Sequence, residues 1–155
     1  MIRATLVIAA LCATASADDV PLPQTKAKLA VTAGWHVVPA AGVVAAYRSD
    51  HGAILAVTRA PVPNPDAWRS RTRAAYIDQV ERGIAEHVPG YHRLARKISE
   101  VHEVPTLDVE ARRDGGSTLV IRVLLFRSYA LSLAIEVPSG GDVDDARRIA
   151  AGFGP

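Results

Sequence analysis

The plainest pattern in the chain is the alternation in YALSLAIEV, residues 129–137. Tyr129, Leu131, Leu133, Ile135 and Val137 take one side, and Ala130, Ser132, Ala134 and Glu136 the other. Period two is the mark of a strand, here with one strongly apolar and one milder face. TLDVEARRD repeats it, with Leu107, Val109 and Ala111 against Asp108, Glu110 and Arg112. Between them, DGG at 114–116 is a hairpin turn leading into STLVIRVLLF, residues 117–126. Upstream, GWHVV (34–38) reads as a first strand stopped by Pro39, VVAAYRS (43–49) as a second, and AILAVTRA (53–60) as a third, the last two joined by DHG. Large aromatics usually serve burial. Trp35 is therefore read as anchoring the first strand in the core, with His36 facing the other way. Residues 91–104, YHRLARKISEVHEV, read as one long strand interrupted at Pro105.

The period changes between 66 and 88. Ile77, Val80, Ile84 and Val88 recur at three and four residues, one stripe of a helix that Trp68 and Ala74 extend toward its start. Asn64 or Asp66 can cap it, and Pro89-Gly90 stops it. Gly83 interrupts the stripe, a residue that suits close approach of helix to sheet. A short terminal helix, DVDDARRIAAGF, starts from Asp142 as cap, with Asp144 and Asp145 favouring its positive end. Strands grouped in runs predict an α+β fold: a largely antiparallel sheet of six to seven strands, flanked by one long central helix and a short C-terminal helix. The single domain spans 34–155. Residues 18–33, with two prolines and scattered polar positions, are expected to be an irregular lead-in.

These residues resemble a known family. GWHVVP, the strand GAILAV leading to a proline, a helix, then VPTLDVEAR, YALSLAIEVP and a closing helix ending in Phe153 are similar in layout to the PsbP/Mog-like fold group, which includes bacterial exported PsbP-like proteins. The resemblance implies an α/β sandwich over about residues 34–153. It also implies a binding or assembly role rather than catalysis, and it carries over no catalytic or ligand-binding residue.

The N-terminus changes what the mature chain contains. Arg3, the apolar run ATLVIAALCA and the small-residue pattern Ala15-x-Ala17 form a secretory leader over residues 1–17, cleaved between Ala17 and Asp18. The run is too short to span a membrane, and no second apolar run reaches that length. Export to the periplasm or the medium follows as the expectation. The single cysteine, Cys12, lies in the leader behind Leu11, a poor residue for lipid attachment. The processed chain then offers no disulfide, no thiolate nucleophile and no cysteine-based zinc site.

Net charge is +2 over the whole chain, far from the strongly basic balance of nucleic-acid binders. Chemical motifs are sparse. His36, His51, His87, His92 and His102 form no metal-ligand spacing; on a single strand Glu100 and His102 would share a face, two ligands at most. No serine lies in a nucleophile-elbow motif, and neither a phosphate loop nor a dinucleotide fingerprint occurs. The sequence thus implies no cofactor, no metal and no catalytic residue. The expected function is an exported, non-enzymatic binding or assembly module for a protein or envelope component. The alternative is a small enzyme or metal-binding protein using surface histidines. One surface feature stands out in WRSRTR: Arg69 and Arg73 share a helix face at i, i+4 and could meet an acidic partner or anionic headgroups. Arginine replaces lysine throughout the chain, 15 against 3, so a solvated face explains the run as well.

Overall fold

The computed structural model describes residues 18–62 and 70–155. Two short strands, β1 (Asp18–Pro21) and β2 (Lys28–Val31), pair antiparallel as a hairpin. They are followed by β3 (Trp35–Val37), β4 (Ala45–Ser49), β5 (Ile54–Pro61), the helix α1 (Ser70–His87), β6 (His92–Val101), β7 (Val104–Arg112), β8 (Thr118–Leu125), β9 (Tyr129–Val137) and the helix α2 (Val143–Gly152). Strands β3 to β9 form one seven-stranded sheet in the order β3-β4-β5-β9-β8-β7-β6. Every neighbouring pair is antiparallel.

Each face of the sheet carries its own core. The strongly apolar face of β9 puts Leu131, Leu133 and Ile135 beside Leu55, Val57, Val120 and Leu124, and α2 closes it with Ala146, Ile149, Ala150 and Phe153. Side chains of this size each contribute about 1.5–3 kcal/mol when fully buried. The opposite face is covered by α1, whose Ile77 packs with Val62, Val109, Ile121 and Val123, flanked by Val80, Ile84 and Val88. The helical stripe and the strand alternations read from the sequence therefore fall where they were expected.

Side-chain bonds fix α2 at both ends. Asp142 caps it, accepting from the Asp145 backbone N–H at 3.0 Å. At the other end Arg122 grips Asp108 through Nε (2.6 Å) and Nη2 (3.1 Å), while Nη1 donates to the carbonyls of Ala151 (3.0 Å) and Phe153 (3.4 Å). A cation there meets the negative end of the helix. Beyond it, Gly154 and Lys28 exchange backbone bonds, tying the chain's last residues to β2.

Four expectations are corrected. The segment 18–33 is not an irregular lead-in. It is the β1–β2 hairpin, seated on the α2-side core through Leu22, Ala27 and Leu29. Its strands are too short and too proline-flanked to register as a period, and their burial comes from partners distant in sequence. The strand read over residues 91–104 stops earlier, at Val101: His102 and Glu103, at φ 47° and 65°, make a two-residue turn between Val101 and Val104. Left-handed backbone at both positions matches the twist of a tight hairpin, but neither residue is the glycine or asparagine that would announce it. Pro105 then sits inside β7 rather than ending a strand. Ala74 is exposed, and Arg73, one turn before Ile77, holds the half-buried position; Trp68 lies outside the described residues. Gly83 allows no close approach, for a Cβ built there would meet nothing within 4 Å.

Candidate functional site

Trp35 and His36 diverge as alternation requires, but Trp35 is half-buried rather than enclosed. Its ring packs on the α2-side core, and its Nε1–H donates to Asp145 at 2.9 Å. The same carboxylate accepts from the Thr32 hydroxyl at 3.1 Å and from Arg148 at 3.1 Å. These groups line a cleft of about 370 Å³ with Asp50, His51 and Asp142, where the start of β3 meets the start of α2. Every Asp145 oxygen is engaged, so the cluster reads as a joint between the β2–β3 link and α2.

The histidines are dispersed. His36 Nε2 lies 2.8 Å from Asp50, and His92 Nε2 lies 3.0 Å from Asp114. His87 Nδ1 lies 2.8 Å from the Gly83 carbonyl one turn back in α1. His102 is in the β6–β7 turn, so it shares no strand face with Glu100. Among the described residues no group of three or more His, Cys, Asp or Glu side chains could hold a metal. The densest charge cluster joins α1 to β6. Glu81 accepts from Arg93 at 2.5 Å and from Arg96, which also reaches Asp78 at 2.6 Å. Burial pushes the Glu81 carboxyl up, but the bonds from Arg93 and Arg96 outweigh it and hold the group below the usual carboxylate range. Tyr91 beside it is pushed up, first by burial and then by the Glu81 charge. The cluster's charges are paired with one another and have the character of a helix-to-strand clamp.

A different end of the sheet gathers several basic side chains. It is made by the tip of the β1–β2 hairpin, the last residues of β5 and the β8–β9 turn. Pro61 pairs with Tyr129, Arg59 pairs with Leu131, and the Val62 N–H donates to the Ser128 carbonyl. Diagonal neighbours across a strand pair are within reach of long side chains. Accordingly the Arg59 guanidinium lies over the Tyr129 ring, 4.4 Å from its centroid. Phe126 stacks on the other aromatic at 4.8 Å and 26°, and the Tyr129 hydroxyl accepts from the Lys26 backbone N–H at 3.3 Å. Lys26, Lys28, Arg59 and Arg127 are all exposed. None of the segments 22–28, 57–62 and 124–131 contains an aspartate or glutamate.

Arg73 stands at the start of α1. The helix ends beside the β7–β8 turn, where Asp114 N–H donates to the Gly90 carbonyl at 3.1 Å. Eighteen residues of helix rise about 27 Å, which carries its first turn back toward the basic end. Arg73 is half-buried there, and its Nε is enclosed without a hydrogen-bond partner. It is therefore not the freely solvated arginine expected, and Arg69 lies outside the described residues. So does Ala17, whereas Asp18 opens β1. Arg59 and Tyr129 were missed by sequence reasoning because only the β5–β9 register brings them together. The one local hint was a segment, FRSY, rich in aromatic and basic residues.

No protein-family model matches the chain, and neither does any curated protein. Among solved structures it is similar to the solution structure of cyanobacterial PsbP (CyanoP) from Synechocystis. The two are 12% identical, with a TM-score of 0.60, over 96% of this chain and 98% of that one. A Pseudomonas aeruginosa protein of unknown function is 13% identical over 81% of this chain and 85% of that one, at a TM-score of 0.44, too slight a likeness to bear on the fold. The chain has a PsbP-like α+β fold. Among the described residues no helix is long and apolar enough to cross a membrane.

Proposed function

We propose that the protein is an exported, non-enzymatic binding or assembly module that engages an anionic partner in the cell envelope through the basic end of its sheet. The observation that carries this reading is Arg59 laid over the Tyr129 ring, itself stacked on Phe126, with exposed Lys26 bonded to the same tyrosine, in segments without a carboxylate. Several arginines elsewhere on the described surface are held by acidic neighbours: Arg93 and Arg96 by Glu81, Arg113 by Glu136, Arg147 by Glu110. Exposed positive charges such as those of Lys26 and Arg59 attract an oppositely charged surface. The leader pattern before Asp18 supports export.

Sedimentation with native envelope fractions, at low and at high salt, tests the reading. Wild-type protein is expected to bind at low salt and release at high salt, since exposed charges are screened over about 8 Å at physiological ionic strength. The Lys26→Glu/Arg59→Glu variant is expected to stay soluble, folded and unbound. Salt-insensitive binding, or binding unchanged in that variant, would remove the basic end from the function. Intact-mass measurement of the exported protein should give a chain beginning at Asp18.

A further inference from the structure

We infer that Arg59, laid on Tyr129, is a preorganised fork for a carboxylate, and that the partner presents an acidic protein segment to it. This rests on the reading of the basic end as the binding surface. Arg59 has five N–H donors in a fixed plane, and among the described residues its one interaction is with the Tyr129 ring. That ring is itself immobilised: it stacks on Phe126, packs against the α2-side core and accepts from Lys26 N–H. A guanidinium resting on a fixed aromatic has already lost much of the side-chain freedom that binding would cost it. Its edge remains open to accept a planar, two-oxygen group through parallel N–H···O bonds. Exposed Lys26, whose backbone N–H donates to the Tyr129 hydroxyl, adds positive charge on the same platform, which suits a segment with more than one acidic side chain.

The geometry favours a protein over a lipid surface. A membrane-binding face needs apolar side chains free to enter the headgroup layer. Here Phe126 and Tyr129 are half-buried and committed to the core. Among the described residues the exposed large hydrophobics lie elsewhere: Ile54 at the far end of β5, Val37 on β3, Leu94 and Ile98 on β6.

The test titrates the full processed chain with a fluorescent oligoglutamate peptide and, in parallel, with phosphatidylglycerol vesicles. Wild-type protein is expected to bind the peptide in preference to the vesicles. Arg59→Lys keeps the charge but loses the fork, and peptide affinity should fall roughly tenfold, about the loss of one charge-assisted hydrogen bond. Tyr129→Phe keeps the platform and should bind nearly as wild type, provided its circular dichroism and unfolding midpoint are unchanged; Tyr129→Leu should resemble Arg59→Lys. If Arg59→Lys binds like wild type while Lys26→Glu weakens, the basic end stands and the fork is wrong. Absence of any peptide binding by the wild type, with vesicles bound, overturns the protein partner; absence of both overturns the basic end itself.

Discussion

At Asp145 one carboxylate receives Thr32, Trp35 and Arg148, residues from a loop, a strand and its own helix. Its side chain is only 17% exposed, so donors stranded by its removal would be poorly solvated. Asp145→Ala should cost about 1–3 kcal/mol, the penalty for partly buried donors left unmade, and Asp144→Ala on the exposed side much less. Urea titration of the two variants checks this; equal costs would mean the joint carries no stability. Gly83 is the opposite case. It occupies the interior of α1 with open space where a Cβ would go. Gly83→Ala should raise stability by about 0.5–1 kcal/mol through the unfolded state and helix propensity. A thermal melt showing destabilisation would reveal a packing role that the geometry does not contain.

Among the elements, the β1–β2 hairpin has the largest gap between appearance and role. Four-residue strands are marginal alone, yet Leu29 is wholly buried and Lys28 shares two backbone bonds with Gly154. Leu29→Ala is expected to cost about 2–5 kcal/mol, like any large-to-small change in a closed core, and Lys28→Ala should be mild because its bonds are backbone ones. A cost under about 0.5 kcal/mol for Leu29→Ala, the range of ordinary surface changes, would show the hairpin to be an appendage. The hairpin matters for function as well, since its tip holds Lys26 against Tyr129. Stripping it away should weaken the aromatic platform under Arg59.

On the scale of the whole molecule, charge is segregated. Asp50, Asp142 and Asp145 gather at the start of β3 and α2, the basic cluster lies at the β8–β9 end, and α1 is clamped to β6 between Glu81 and its arginines. That clamp makes acid stability predictable. The Glu81 carboxyl is held below its ordinary value in the folded state, so its contribution is fully present above the unfolded value, about 4.3. It is lost as pH falls through the lower folded value. Chemical denaturation across that acidic window should show declining stability in the wild type and a flatter limb in Glu81→Gln. Parallel limbs would place the acid sensitivity in other carboxylates.

The sequence by itself determined the α+β class, the sheet from Trp35 to Val137, the stripe of α1 and the cap of α2. Each of these is written in local period or in a local stop signal, which short-range geometry enforces: Leu131, Leu133 and Ile135 must share a face in any strand. Only the tertiary structure decided the hairpin of 18–31, the turn at His102-Glu103 and the joining of Arg59 to Tyr129. The first depends on burial against α2, the second on a backbone conformation that its side chains do not announce. The third depends on β5 lying beside β9, so that residues 59 and 129 meet through a register set by the whole core. Contacts between residues far apart in the chain exist once the sheet closes, and the candidate site consists of such contacts.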